Sequence, residues 1–353
     1  MRIRHNPYRI GLALGAGAAR GVAHLGVLQV LDEAGITVDL IAGSSFGSFV
    51  AGCYACNPDA RLVTEQSVSF AESNGFRRSK FDFIRNAIQA EPGFINSLKS
   101  LIKKGVMYSS TLTSNGFITA EAMAYNVAQC LPDRLVEETE IPFVAVSADS
   151  RTGEEILINR GPIRRAVHAS CAIPGVFRPV QAGDKLLVDG ACVQKIPVLP
   201  AYLMGADFVI AVDVSSGLPD MDLRTGADML IRNSMIEGHK LKNMQARMAD
   251  FLIEPDVGDI HWADFTNPMA VVERGAEAAR KAIPRLLAML DALPDQMENG
   301  LSPGRKRAMP FLDDHQMQYF EMPAEAAMDS EVFKDAEAVA QDTSPVPLVE
   351  HQE

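Results

Sequence analysis

The stretch RIGLALGAGAARGVAHLGVLQVLDEAG (9–35), followed closely by VDLIAGSSFGS (38–48), decides the fold class. Residues 9–15 form a short apolar run closed by glycine, which reads as a buried strand. Residues 20–34 space Val22, Leu25, Leu28 and Leu31 at helical intervals. Residues 38–42 are a second apolar strand, and after GSSFGS an apolar helix runs to Tyr54. A strand–turn–helix unit repeated within the first 55 residues is the order of an α/β domain built on a parallel sheet.

The rest of the chain continues in that manner. The spacing predicts a helix over 120–130, a strand over 142–147, a turn at 152–154 and a strand over 155–158. A helix over 162–170 carries proline in its first turn. A strand over 185–188 runs directly into Asp189-Gly190, and residues 207–214 (DFVIAVDV) are another buried strand. Long helices are expected at 223–249 and 267–292, with a strand at 250–254 between them. No internal repeat is visible. The expected organisation is a core over 8–215, a helical part over 216–300 packing on it, and an acidic, disordered tail over 301–353.

Composition narrows the function classes. At 353 residues, 47% hydrophobic and 22% charged, the chain can bury a full core. It contains no run of roughly 18–20 apolar residues, so an integral membrane protein is not expected. The N-terminus MRIRHNPYRI has no apolar stretch behind its basic residues and does not read as a signal peptide. Five sparse cysteines make no disulfide framework and favour a reducing, cytoplasmic setting. Cys53 and Cys56 lack a second ligand pair for zinc and read as small core residues. No metal or cofactor is expected. The net charge of −12 argues against a general nucleic-acid binder.

That charge is uneven. Residues 311–353 hold eleven acidic side chains against Lys334, so the acidity belongs to the end of the chain, where a short helix near 331–340 is the only element expected. Residues 76–105 instead carry Arg77, Arg78, Lys80, Arg85, Lys99, Lys103 and Lys104 against Asp82 and Glu91, interleaved with phenylalanine, isoleucine and leucine. Such a stretch suits peripheral contact with an anionic membrane. A surface helix pair covering the core is the plain alternative.

Three motifs carry chemistry. In GAGAARG, Gly15, Gly17, Ala18, Ala19, Arg20 and Gly21 lie between a strand and a helix start, where backbone N–H groups face an anion; tight strand–helix packing is the alternative. A dinucleotide-binding loop has the same logic, but Arg20 breaks its glycine fingerprint. In GSSFG, Gly43 and Gly47 flank Ser45 in the pattern of a nucleophile elbow; alternatively Ser45 caps the helix. In DGA, Asp189 ends a strand while Gly190 and Ala191 turn the chain away, a position either catalytic or merely a turn. None of the seven histidines occupies a triad position. His24, one turn into the first helix, reads as a packing residue near the site, and His168 as a core or capping residue.

Together, in this order, the three motifs resemble the patatin-like phospholipases. GVAHLGVL (21–28) and ASCAIPGVFRPV (169–180) are similar to the bacterial, neuropathy-target-esterase-like branch. The resemblance covers residues 8–215 and more loosely extends to about 295. It implies a three-layer α/β/α fold with a mainly parallel sheet. It also implies acyl-ester hydrolysis by a Ser45–Asp189 dyad without histidine, with amides near Gly17, Ala18 and Ala19 holding the oxyanion. The family's loop is often richer in glycine than this one. Arg20 would hold the loop or contact a phosphate, a surface salt bridge being the alternative. The implied partner is a lipid acyl ester and not nucleic acid. Head group, chain length and oligomeric state are not encoded in these motifs. The competing readings are a non-catalytic lipid-binding protein of the same fold and a nucleotide-binding α/β protein.

Overall fold

The computed structural model describes residues 8–73, 120–297, 300–313 and 317–324. The basic segment 76–105 and the expected helix near 331–340 lie outside the described residues.

Among them a nine-stranded sheet runs through the middle of the molecule. Its strands are β1 (Ile10–Leu14), β2 (Leu40–Ser44), β3 (Phe143–Asp149), β4 (Glu155–Arg160), β5 (Val180–Ala182), β6 (Lys185–Asp189), β7 (Phe208–Val212), β8 (Phe251–Ile253) and β9 (Met317–Glu321). The spatial order is β5-β6-β3-β2-β1-β7-β8, with β4 on β3 and β9 on β4. The central ladders β3-β2-β1-β7-β8 are all parallel. The helices are α1 (Ala23–Glu33), α2 (Phe46–Cys56), α3 (Ala60–Glu72), α4 (Ala120–Cys130), α5 (Ile163–Ser170), α6 (Val198–Leu203), α7 (Gly226–Met248), α8 (Pro268–Gln296) and α9 (Pro303–Asp313).

Strand side chains alternate between two cores, as a period of two requires. Ile10, Leu12 and Leu14 of β1, with Phe208, Ile210 and Val212 of β7, face a large core filled by Leu25, Leu28 and Leu31 of α1, Val50 of α2 and Val272 of α8. Ala13, Val209 and Ala211 face the opposite core, under Leu199 and Tyr202 of α6, Met248 of α7 and Ala308 of α9. Helices thus cover both faces, which gives the three layers.

β3 organises the functional end. One of its edges pairs with β4 through Ala145–Ala148. The other is shared. β2 runs parallel to it and ends with Ser44 opposite Val146, and β6 runs antiparallel to it and ends with Asp189 opposite Ser147. Two strands therefore approach head to head along one edge and stop one residue apart. A βαβ reading puts Asp189 among parallel strand ends; here it arrives from the opposite direction.

The structure corrects the expected tail. Residues 300–313 and 317–324 are ordered: α9 packs on the α6 face and β9 adds to β4 in parallel register, Glu155 opposite Met317 to Ile158 opposite Phe320. Asp250 holds the junction. Its carboxylate accepts from Tyr202 Oη (2.7 Å), the Val209 N–H (2.9 Å), Ser302 Oγ (3.0 Å) and the Gly304 N–H. Arg305 and Arg307 donate to the carbonyls of Ala206 and Ala249. Past β9, Met322 is buried, and Arg165 donates to the Pro323 carbonyl. The structure adds the strand β5 and the helix α3 to the elements expected from the sequence.

Asp250→Ala leaves several buried donors unpaired at once and is expected to cost about 3 kcal/mol or more. Chemical denaturation measures that loss, and limited proteolysis should then cut first within 300–324.

Candidate active site

Ser45 sits where β2 turns into α2. Its backbone is at φ +53°, ψ −130°, an unfavoured region for a residue with a Cβ. The strain turns the side chain out of the strand path toward the end of β6. The turn requires glycine beside it. A Cβ on Gly47 would stand 2.3 Å from the Leu14 carbonyl oxygen, and one on Gly190 2.3 Å from that of Val146.

Ser45 Oγ donates to Asp189 Oδ2 at 2.6 Å, while Asp189 Oδ1 accepts from the Ala191 N–H at 2.8 Å. Both residues are buried, Ser45 at 5% and Asp189 at 2% exposure. Burial pushes the Asp189 carboxyl up to about 6, against the opposing pull of the Ser45 and Ala191 hydrogen bonds and of Lys195. The result is a carboxylate of unusual basicity directly on a serine hydroxyl. Among the described residues, no histidine hydrogen-bonds either group.

The glycine-rich loop lies beside Ser45. The Gly15 N–H donates to the Val212 carbonyl (3.0 Å) and the Ala16 N–H to that of Lys195 (2.9 Å). The Gly17 and Ala18 amides donate to no group among the described residues, and Ala18 stands at φ +48°. The Ala19 N–H, expected among the oxyanion donors, is taken by the Trp262 carbonyl at 2.8 Å. Among the described residues Arg20 makes no salt bridge. Its Nε donates to the Ile260 carbonyl (2.7 Å) and one terminal nitrogen to Ser216 Oγ (2.9 Å), so it ties the loop to the segments after β7 and before α8. His24 is fully buried, and Nε2–H donates to the Gly15 carbonyl at 2.8 Å. Burial pulls its ring down to about 4, so it braces the loop in the neutral form.

A cleft opens from Ser45 into the α1–α2 side. Its walls are almost wholly apolar, among them Leu25, Phe49, Val68, Phe177, Trp262 and Phe265. Wall residues Trp262 and Phe265 lie in the loop before α8, which has no sequence periodicity to reveal them. Cys53, Cys56 and Cys171 are buried free thiols, and no metal-binding group exists among the described residues.

Residues 12–202 match the family Patatin-like phospholipase. The chain belongs to the patatin-like phospholipase family. An NTE family protein of Mycobacterium tuberculosis is 31% identical over 302 residues, covering 78% of this chain and 46% of that protein. One from Mycobacterium bovis is 32% identical over 209 residues, 59% of this chain and 49% of its own length. Patatin-like phospholipase domain-containing protein 6 of Mus musculus is 30% identical over 223 residues, 63% of this chain and 14% of its length. The chain therefore spans about half the length of these mycobacterial relatives. Among solved structures, VipD from Legionella pneumophila aligns over 95% of this chain and 74% of its own, with 13% identity and a TM-score of 0.40. No helix among the described residues is long and apolar enough to cross a membrane.

The raised carboxyl of Asp189 has a stability consequence with a definite sign. Between the unfolded value near 3.8 and the folded value near 6, the native state binds the extra proton. The wild type is therefore penalised above pH 6 and relieved as pH falls toward 4. Asp189→Asn should melt above the wild type at pH 8, with the gap closing between pH 6 and 4; thermal scans across pH check this.

Proposed function

We infer that this protein hydrolyses fatty-acyl esters of phospholipids or lysophospholipids, with Ser45 as nucleophile and Asp189 as its base. The observation that carries the reading is the 2.6 Å hydrogen bond between two buried side chains at the head of an apolar cleft. A nucleophile needs a base within hydrogen-bond reach, and a base titrating near 6 is ionised at neutral pH yet far stronger than a solvated aspartate.

The acyl chain occupies the cleft and its carbonyl carbon meets Ser45 Oγ. Asp189 takes the hydroxyl proton as Oγ attacks, and the carbonyl oxygen becomes an oxyanion. The Gly17 and Ala18 amides, which donate to no group among the described residues, are its donors in this reading, a contribution worth about 3 kcal/mol per donor. As the tetrahedral species collapses, the ester C–O bond breaks and the leaving alcohol takes the proton from Asp189. Water then attacks the acyl-enzyme, gives a proton to Asp189 and releases the fatty acid; the proton returns to Ser45 Oγ.

Ser45→Ala and Asp189→Asn are each expected to lower hydrolysis of short-chain ester and lysophospholipid at least a thousandfold while the protein stays folded. Labelling by a fluorophosphonate should vanish in Ser45→Ala. For the wild type, kcat should rise with pH through about 6, as Asp189 ionises. A wild-type protein that neither labels nor hydrolyses ester would count for a non-catalytic lipid binder, and full activity in either variant would overturn the dyad. His24→Ala, tested beside them, should retain turnover once corrected for folded fraction.

The substrate is insoluble, so the enzyme must meet an interface. The basic, phenylalanine-bearing segment 76–105 supports peripheral contact with anionic bilayers, each cation adding about 1 kcal/mol near the surface. Reversing Arg77, Arg78, Lys103 and Lys104 to glutamate should weaken co-sedimentation with phosphatidylglycerol vesicles at low salt. Unchanged co-sedimentation would remove this segment from the interface.

A further inference from the structure

The elbow that presents Ser45 contains a conflict. Turning to positive φ takes the Ser45 N–H away from strand pairing, inside a region where neither Ser44 nor Ser45 meets bulk solvent. A buried amide needs an acceptor. No backbone carbonyl supplies it. The acceptor is Ser170 Oγ, at 3.1 Å, on the last residue of α5 and 125 residues away in sequence. The same hydroxyl donates to the Val146 carbonyl at 2.5 Å. Val146 is the β3 residue opposite Ser44, where the pairing with β2 ends and the pairing with β6 has not begun. One fully buried hydroxyl therefore spans the gap between the strands and anchors the elbow to β3.

The turn after α5 grips the other partner as well. Asp189 donates its N–H to the Ala172 carbonyl at 2.9 Å. Within three residues, 170–172, one short segment holds the backbone amides of both Ser45 and Asp189. Ser147 Oγ donates to the Val188 carbonyl at 2.6 Å, fixing the end of β6 from the β3 side. Occupying the Ser45 amide has a further effect. It withdraws that donor from the reacting carbonyl and leaves oxyanion binding to the loop.

We propose that Ser170 is a positioning residue, whose hydroxyl sets the strained Ser45 backbone so that Oγ meets Asp189, and that it acts on turnover rather than on substrate binding. This rests on the Ser45–Asp189 reading above. It gives a job to the ASC of ASCAIPGVF, a stretch that the dyad and the loop leave without a chemical role. Ser170 does not touch the acyl cleft, so its loss should spare KM.

The test uses the full chain and a water-soluble p-nitrophenyl ester. Ser170→Ala removes the hydroxyl, Ser170→Cys keeps the volume with a poor hydrogen-bonding group, and Ser170→Thr restores a hydroxyl. Val167→Ala, on the same helix and outside the site, serves as a control for lost stability alone. The expected result is a fall of about a hundredfold in kcat for Ala and Cys, with KM within threefold and at least a tenfold recovery in Thr. The acid limb of the pH–kcat profile should also move to higher pH, since a displaced Ser45 hydroxyl no longer supports the Asp189 carboxylate. Val167→Ala should lower Tm yet keep kcat within twofold. A kcat within threefold of wild type in folded Ser170→Ala overturns the proposal, as does a loss matched by Val167→Ala at equal Tm. If Ser170→Ala does not fold, Ser170→Cys decides by the same criteria. Ser45→Ala in the same assay separates the two claims. If it is inert while Ser170→Ala is active, only the role of Ser170 falls; if it is active, the dyad reading falls and takes this one with it.

Discussion

β3 lends one edge to two strands that run toward each other, and the site depends on the place where they stop. β2 ends opposite Val146 and β6 opposite Ser147, so the last residue of one strand and the first beyond the other are forced together. A 2.6 Å contact between residues 144 positions apart then follows from ladder register and not from loop flexibility. The small residues around the junction serve the same closeness. Gly47 and Gly190 stand where any Cβ would strike a carbonyl oxygen of β1 or β3.

Dryness supplies the chemistry that geometry alone would not. An aspartate in water is a poor base for a hydroxyl. Packing it beneath β3 and the turn after α5 costs solvation of the charged form, and the two hydrogen bonds it accepts recover only part of that. The fold thus keeps a carboxylate that holds its charge at neutral pH under protest. His24 shows the same environment acting on a base. Buried under the loop, it stays neutral and serves as a brace for the Gly15 carbonyl.

Much of this was legible in the residues. Apolar runs located β1, β2 and β7, and glycine spacing located both turns, because a buried parallel strand and a sharp strand–helix junction leave local signatures. Three features left none. The antiparallel direction of β6 depends on a partner far away in sequence. β5 is three residues long, too short to show alternation. The end of the chain was misread because acidity beyond residue 320 dominated the charge count, while α9 is basic and its anchor, Asp250, lies some fifty residues earlier. The acceptor of the Ala19 amide was hidden for a related reason. A backbone amide is spoken for by whatever packs against it, and Trp262 lies in a loop without pattern.

The ties of Ala19 and Arg20 to residues 216, 260 and 262 bear on modularity. The family model stops at residue 202, yet the glycine-rich loop leans on carbonyls and a hydroxyl well past that point, and β1 takes its second neighbour from β7. The unit that selection can shuffle as a block is therefore larger than the unit that the family model outlines. A graft or truncation made at the similarity boundary would keep the nucleophile and its base and discard the scaffold on which the anion-facing loop is stretched.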